Sequence, residues 1–465
     1  MPPIVKSTVI IVGAGIGGLT LAILLEQAQI PYTILKRSTD MRNLGSLLVL
    51  DPSVFPLFEQ LYLLDEFMEI TKPVRMGCIW NEKLEQLASV SYSDIEKRYG
   101  YFPRVVSRSN LYQLLLSRVP DNKIHRGKNV KSFETLPSSS VLGGVKVQCA
   151  DNSEYHGDVL VGADGAYSSV RQHMYKHLRE KNSTKSDTGK RDRVPPSFIS
   201  IMGETRRDLK EGQYEFAKGL DATLGTVLGH SNNPYSWTVS NMHGNSICWI
   251  VTKHLKSSMH KTGGPIVESS EDASCSGGGT DVHSMIMEVR NFPVPFGKDT
   301  KTLGDLIDLT VLEDISRIML EEKMSETWYS GRAVLLGDGA VLAIQDAAVL
   351  ADVLFHLKNN SHEELTKAFS IYRDVRYPSI KQSFHISLQV SQLMEQTWIN
   401  DLKLWLMGHM PKFVWNKVHD SMYADRPQVS FLPHVPVKGE IKLAVNKTLF
   451  EYTGRSKRGA HASAV

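Results

Sequence analysis

"TVIIVGAGIGGLTLAILLEQAQIPYTILKRS", residues 8–38, decides the fold. Residues 8–15 open it with the unbroken apolar run that a parallel strand buried on both faces requires. Residues 16–29 space their apolar side chains as a helix does, and residues 31–38 return to a strand pattern. Strand, tight turn, helix and strand in this order make a βαβ unit, which implies a parallel sheet and a right-handed crossover. Gly13, Gly15 and Gly18 form a GxGxxG pattern between the first strand and the helix. The first glycine permits the turn, the second lets the backbone approach a pyrophosphate, and the third allows close helix packing. A phosphate there meets the positive end of the helix dipole, so the unit is read as a dinucleotide site.

The end of the second strand departs from this pattern. An acidic residue usually stands there and accepts hydrogen bonds from a ribose; here the place is taken by Lys36, followed by Arg37. A lysine has no acceptor. Losing hydrogen bonds to a carboxylate costs about 1.5–3 kcal/mol, one to two orders of magnitude in affinity. Two other readings stay open: the Lys-Arg pair meets a 2′-phosphate, favouring NADP, or Lys36 is solvated and ribose contacts come from elsewhere, such as Asp40.

Three further segments narrow the choice. "GDVLVGADGAYSSVR" spans residues 157–171, "SRSNLYQLL" starts at Ser107, and "TWYSGRAVLLGD" ends at Asp338. Together with the glycine motif, their order and spacing resemble the group A flavoprotein monooxygenases, the aromatic-hydroxylase-like family. The nearest likeness is to its fungal members, including epoxidases of prenyl chains in terpenoid pathways. Asp164-Gly165 and Arg171 match the family's DG motif, Arg108 its flavin-contacting arginine, and Asp338 its GD motif.

The resemblance implies a fold class: α/β, with a Rossmann-like FAD-binding domain, an inserted antiparallel-sheet substrate domain and a C-terminal helical region. The implied FAD-binding residues are Gly13, Gly15, Gly18, Lys36, Gly45, Arg108, Asp164, Gly165, Asp338, Gly339 and Ala340. It also implies an activity: NADPH as transient reductant, O2 as co-substrate, and oxygen transfer from a flavin C4a-hydroperoxide to an apolar or aromatic small molecule, by hydroxylation or epoxidation. No side chain is required as a nucleophile in such chemistry, and no catalytic residue is assigned. Tyr214 is a pocket candidate.

One departure bears on all of this. In the family, a proline-containing loop with a Gly-Gln-Gly-Ala turn follows the GD motif. Here Asp338 runs at once into Gly339-Ala340 and an apolar helix, "VLAIQDAAVLAD". The helix is expected close to the strand end, with few backbone N–H groups left for the flavin. Three readings remain: an enzyme that tolerates the short loop, a working enzyme whose sequence is misjoined here, or a protein that no longer holds flavin. In the last case the chain would be a non-catalytic binding protein, and an NADP-binding oxidoreductase without flavin is the other alternative.

Composition sets bounds around this reading. The chain has 465 residues, 42% hydrophobic and 22% charged, with a formal net charge of +3, ordinary for a globular protein. With no stripe of basic residues interleaved with aromatics, nucleic-acid binding is not expected. Cys78, Cys149, Cys248 and Cys275 lack CxxC spacing, which argues against a disulfide framework or zinc site and fits a reducing compartment. No metal site is expected. No stretch reaches the ~20 apolar residues of a membrane span, and the apolar run at residues 8–16 is read as a strand, not a signal peptide. A cytoplasmic protein is expected, with membrane association not expected but left open, and its oligomeric state is not legible.

The FAD-binding domain is expected over residues 1–72, 100–177 and 322–380, and the substrate domain over 73–99 and 196–321. Residues 178–195 and 256–283, polar and Gly/Ser-rich, read as surface loops. "YSWTVSN" and "SICWIVT" flank "MHGN" as two antiparallel strands. The substrate pocket is expected against their sheet, with Trp237, Val239, Trp249 and Val251 read as core rather than lining. Residues 381–465 form the C-terminal helical region and tail, where the helix carrying Leu402 and Trp405 is read as packed on the core, a membrane-facing role being the other reading.

Overall fold

The structure is a computed structural model and describes residues 7–39, 47–136, 144–182, 198–206, 215–229, 233–255, 279–296, 301–320, 324–325, 327–337, 339–393, 398–423, 425–442, 449 and 451–452. Gly45, Asp338, Tyr214 and Asp40 lie outside them.

The opening stretch forms the βαβ unit its pattern predicts: β1 (Val9–Val12), α1 (Ile16–Gln27) and β2 (Tyr32–Lys36). All four residues of β1 are buried, because the strand pairs on both edges and is covered on both faces. Next in the chain come β3 (Leu47–Leu50), β4 (Lys72–Asn81), β5 (Gln86–Ser91), β6 (Arg104–Ser107), α2 (Arg108–Leu116), β7 (Ile124–Arg126) and β8 (Val159–Gly162). The middle of the chain supplies β9 (Phe198–Glu204), β10 (Ala222–Leu228), β11 (Tyr235–Asn241), β12 (Ile247–His254), α3 (Gly279–Val289), α4 (Leu303–Asp308) and β13 (Ser316–Leu320). The last elements are β14 (Tyr329–Ser330), β15 (Ala333–Leu335), α5 (Ala340–Phe355), α6 (His362–Leu393), α7 (Trp398–Gly408) and α8 (Lys412–Tyr423).

Two sheets organise the molecule. The first runs β14-β15-β8-β1-β2-β7, parallel except for the β14–β15 pair. The second has nine strands in the order β13-β9-β12-β11-β10-β4-β6-β3, with β5 paired to β4. Its neighbours are antiparallel except β10 and β4. Through β3 and β6 this sheet crosses the divisions expected at residues 72/73 and 99/100. The expected loops are also shorter at one end: a helix covers Ser169–Asn182, and α3 begins at Gly279.

"YSWTVSN" and "ICWIVTKH" do pair as an antiparallel hairpin, Trp237 opposite Val251 and Val239 opposite Trp249. These four side chains are buried in one cluster with Met285 and Ile286 of α3 and Leu303, Leu306 and Ile307 of α4. They are core, as expected. The opposite face of the same strands carries Ser240, Cys248, Thr238 and Ile250, and there β3 folds back so that the Leu47 N–H points at the Cys248 thiol.

Candidate functional site

Three segments converge at the ends of the central parallel strands. At the first, Gly13 has φ +107°, and a Cβ there would lie 2.3 Å from the Ala163 carbonyl oxygen. A Cβ on Gly18 would meet the Gly13 carbonyl at 2.1 Å. Both positions exclude any side chain. Around Gly15 the nearest such contact is Ala163 O at 4.0 Å, so open space faces its backbone. Gly15 also ends α1 without a side-chain cap, and the first turn holds no acidic residue. Its N–H groups are left for an anion.

The second segment follows β8. Asp164 accepts hydrogen bonds at Oδ2 from the Ser169 N–H (2.6 Å) and hydroxyl (2.9 Å). Its other oxygen, Oδ1, is buried and has no partner among the described residues. Gly165 takes φ +77° with nothing within 4 Å of a would-be Cβ. Arg171 donates to the Ala166 carbonyl and its N–H to Ser168 Oγ, so it holds the turn that presents Asp164.

The third segment is the short connection from β15 to α5. Gly339 caps α5 without a side chain, at φ −77° and ψ 136°, and the first turn again lacks acids. Ala340 is the first helical residue. Gly17 and Ala343 set this helix beside α1: a Cβ on Gly17 would lie 2.8 Å from the Ala343 Cβ. Two uncapped N-terminal turns thus lie side by side. The short loop does not withdraw the helix from the site, though the Gly337 N–H is spent inside the protein on Asp346 Oδ2 (2.9 Å).

That bond belongs to a network sequence reasoning missed. Fully buried Arg376 donates to Asp346 Oδ1 at 2.7 Å, to Gln345 Oε1 at 2.7 Å and to Asp425 Oδ2 at 2.5 Å. Tyr372 donates to the Leu335 carbonyl at 3.0 Å. The legible signal was Asp346 itself, a carboxylate inside an apolar helix, which must be paired when buried.

Lys36 stands where a ribose-binding acid was expected. Its ammonium lies 5.9 Å from the centre of the Tyr112 ring, a contact of cation–π type. Arg108 is the first residue of α2 and is exposed. Among the described residues no group of three or more His, Cys, Asp or Glu could hold a metal ion.

A glycine cradle, two adjoining helix N-termini and an orphaned buried carboxylate oxygen fit FAD, whose pyrophosphate needs N–H donors and whose ribityl and ribose hydroxyls need acceptors. The fold and site are those of a flavin-nucleotide-binding protein. Residues 6–190 match the FAD binding domain family. Over 407 residues the chain is 28% identical to the FAD-dependent monooxygenase ptmM of Penicillium ochrochloron, covering 82% of this chain and 87% of that one. With paxM of Penicillium paxilli, also an FAD-dependent monooxygenase, identity is 29% over 82% of this chain and 77% of the relative. In fold it is similar to Klebsiella pneumoniae HpxO complexed with FAD and uric acid, at TM-score 0.66 and 17% identity, covering 90% of this chain and 96% of that one. The chain thus carries a match to an FAD binding domain and is similar along most of its length to FAD-dependent monooxygenases.

Proposed function

We propose that this chain uses NAD(P)H and O2 to place one oxygen atom on an apolar or aromatic small molecule bound against the inner face of the nine-stranded sheet. Bound FAD would supply the redox chemistry, accepting a hydride and passing electrons to O2. The protein's part is to bind, orient and exclude water. Gly13, Gly15 and Gly18 shape the pyrophosphate cradle, the first turns of α1 and α5 present N–H groups to it, and Asp164 Oδ1 offers an acceptor to a hydroxyl.

The observation that carries the substrate assignment is the inner sheet face. Thr226, Thr238 and Ile250 lie in one row across β10, β11 and β12, half-buried. The two threonine hydroxyls are 2.9 Å apart, and Ser200 and Thr252 form a second pair at 2.8 Å. Beside them Val74, Val105, Ala222, Met242 and Cys248 make a separate apolar cluster. A half-buried row of two threonines and an isoleucine, backed by this buried apolar cluster, suits a largely hydrocarbon substrate carrying one or two polar handles.

The test is oxygen accounting with purified protein, FAD and NADPH. Consumption of O2 that rises with an apolar substrate, and labelled oxygen from O2 in the product, support the reading. NADPH oxidation that never labels any product would contradict it.

A further inference from the structure

Helix α7 presents two contrasting faces. Towards the protein, Asn400 and Leu404 are 6% and 2% exposed, and Gly408 rests on the Leu87 and Ala88 backbone of β5 at about the closeness of ordinary packing (3.5 Å from a would-be Cβ). Away from it, Leu402, Trp405 and Leu406, at i, i+3 and i+4, are 50%, 54% and 51% exposed. Phe413, in the first turn of α8, is 64% exposed. The helix packs on the protein through Leu404, but Leu402 and Trp405 are not on that packed face: both point outward. Single exposed apolar residues need no explanation, but a contiguous cluster of large ones marks an interaction surface.

The surrounding charge says what covers it. Lys403 and Lys417 are exposed on the same two helices, and so is Lys412, which is paired with Asp94. Among their described side chains the one carboxylate, Asp420, is turned to Arg98 and Tyr99. An apolar and aromatic stripe rimmed by lysines suits an anionic lipid surface, where tryptophan sits at headgroup level and lysine stems reach back to the phosphates. With 11 residues, α7 is about 16 Å long, half a bilayer core. No described helix is long and apolar enough to cross a membrane.

We propose that α7 and the first turn of α8 form a peripheral docking surface for an anionic bilayer. Leu402, Trp405, Leu406 and Phe413 enter the headgroup–acyl boundary, and Lys403 and Lys417 meet lipid phosphates. Because α7 packs on β5, which pairs with β4, a substrate dissolved in the membrane would arrive beside the nine-stranded sheet. That consequence rests on the proposed function; the docking does not.

The experiment is flotation of the full chain with vesicles of phosphatidylcholine alone or mixed with phosphatidylserine, read independently of flavin content. The intact protein floats with the anionic vesicles and less well in high salt. Leu402→Glu with Trp405→Glu lowers the bound fraction roughly tenfold or more while circular dichroism is unchanged. Lys403→Ala with Lys417→Ala erases the preference for anionic lipid. A wild-type chain that stays with neither vesicle overturns the proposal. So does equal flotation of the glutamate variant, or a dimer that this variant dissociates, which would put a second copy over the face.

Discussion

Asp346 ties the end of β15 to α5: its Oδ2 accepts from the Gly337 N–H at 2.9 Å while its Oδ1 accepts from Arg376 Nε at 2.7 Å. The connection between strand and helix is only residues 336–339 long. A carboxylate two turns into the helix, anchored by a buried guanidinium, thus ties the uncapped helix end to the strand end across this short connection.

Removing one member leaves the other charged and buried, at a cost of about 3–5 kcal/mol. Asp346→Asn should fall at the lower end of that range, since Arg376 retains Asp425. Urea unfolding of the FAD-free protein measures this. Asp346→Leu combined with Arg376→Met should cost less than the two single changes added together. Strict additivity would show that the pair does not couple.

The glycine cradle separates folding from binding. Gly13→Ala forces a positive φ and a Cβ 2.3 Å from Ala163 O, so it should destabilise the fold and abolish flavin binding. Gly15→Ala meets nothing closer than 4.0 Å. Its methyl group enters only the space left for a pyrophosphate, so FAD affinity should fall with little change in stability. Calorimetry and flavin titration of both variants give the comparison.

Gly17→Ala brings a Cβ to 2.8 Å from that of Ala343 and must spread α1 from α5. Overpacking of this kind costs about 1–3 kcal/mol and parts the two helix ends. Ala343→Gly should restore much of the lost stability and flavin binding. An unrescued double variant would mean the two helix ends do not act together.

Lys36 can be tested in the favourable direction. Lys36→Glu restores an acceptor at the end of β2 and should tighten FAD by roughly tenfold, the worth of one charge-assisted hydrogen bond. An unchanged dissociation constant would show that the ribose is held from elsewhere.

Part of the acid response should follow two of the three histidines, His173, His254 and His419, that burial holds below their ordinary pKa. Burial holds the His254 imidazole, edge-on to Phe198, below its ordinary pKa; for His419, among Trp415, Tyr92 and Tyr423, burial and then the nearby Arg98 charge do the same. The unfolded chain therefore binds protons at a higher pH than the folded one. Stability is flat above about pH 6.5 and falls as pH drops through the unfolded pKa towards the lower folded values. Replacing both residues with glutamine should flatten the slope of melting temperature against pH between 6.5 and 5. An unaltered slope would assign the acid response to other groups.

The βαβ unit and the β11–β12 hairpin are legible in the sequence because each has a single strong period and glycines or turn residues at its ends. Which face of the hairpin looks towards β3 is not legible. Alternation separates the face of Trp237 and Trp249, read as core, from the face of Thr238, but does not say which element covers the second face, where Thr238 pairs with Thr226. The Asp346–Arg376 contact spans 30 residues; burial of an aspartate in an apolar helix announces a partner without naming it. Helix α7 misleads periodicity for a different reason. Leu404 faces inward and Leu402, Trp405 and Leu406 face outward, so apolar content alone does not give its orientation.

The most direct test of the whole account is the visible absorption spectrum of the purified chain before and after adding FAD. The cradle of Gly13, Gly15 and Gly18, the paired ends of α1 and α5 and the acceptor on Asp164 predict a yellow protein whose flavin bands persist through gel filtration. A chain that stays colourless through a full FAD titration, while folded by circular dichroism, would contradict the account.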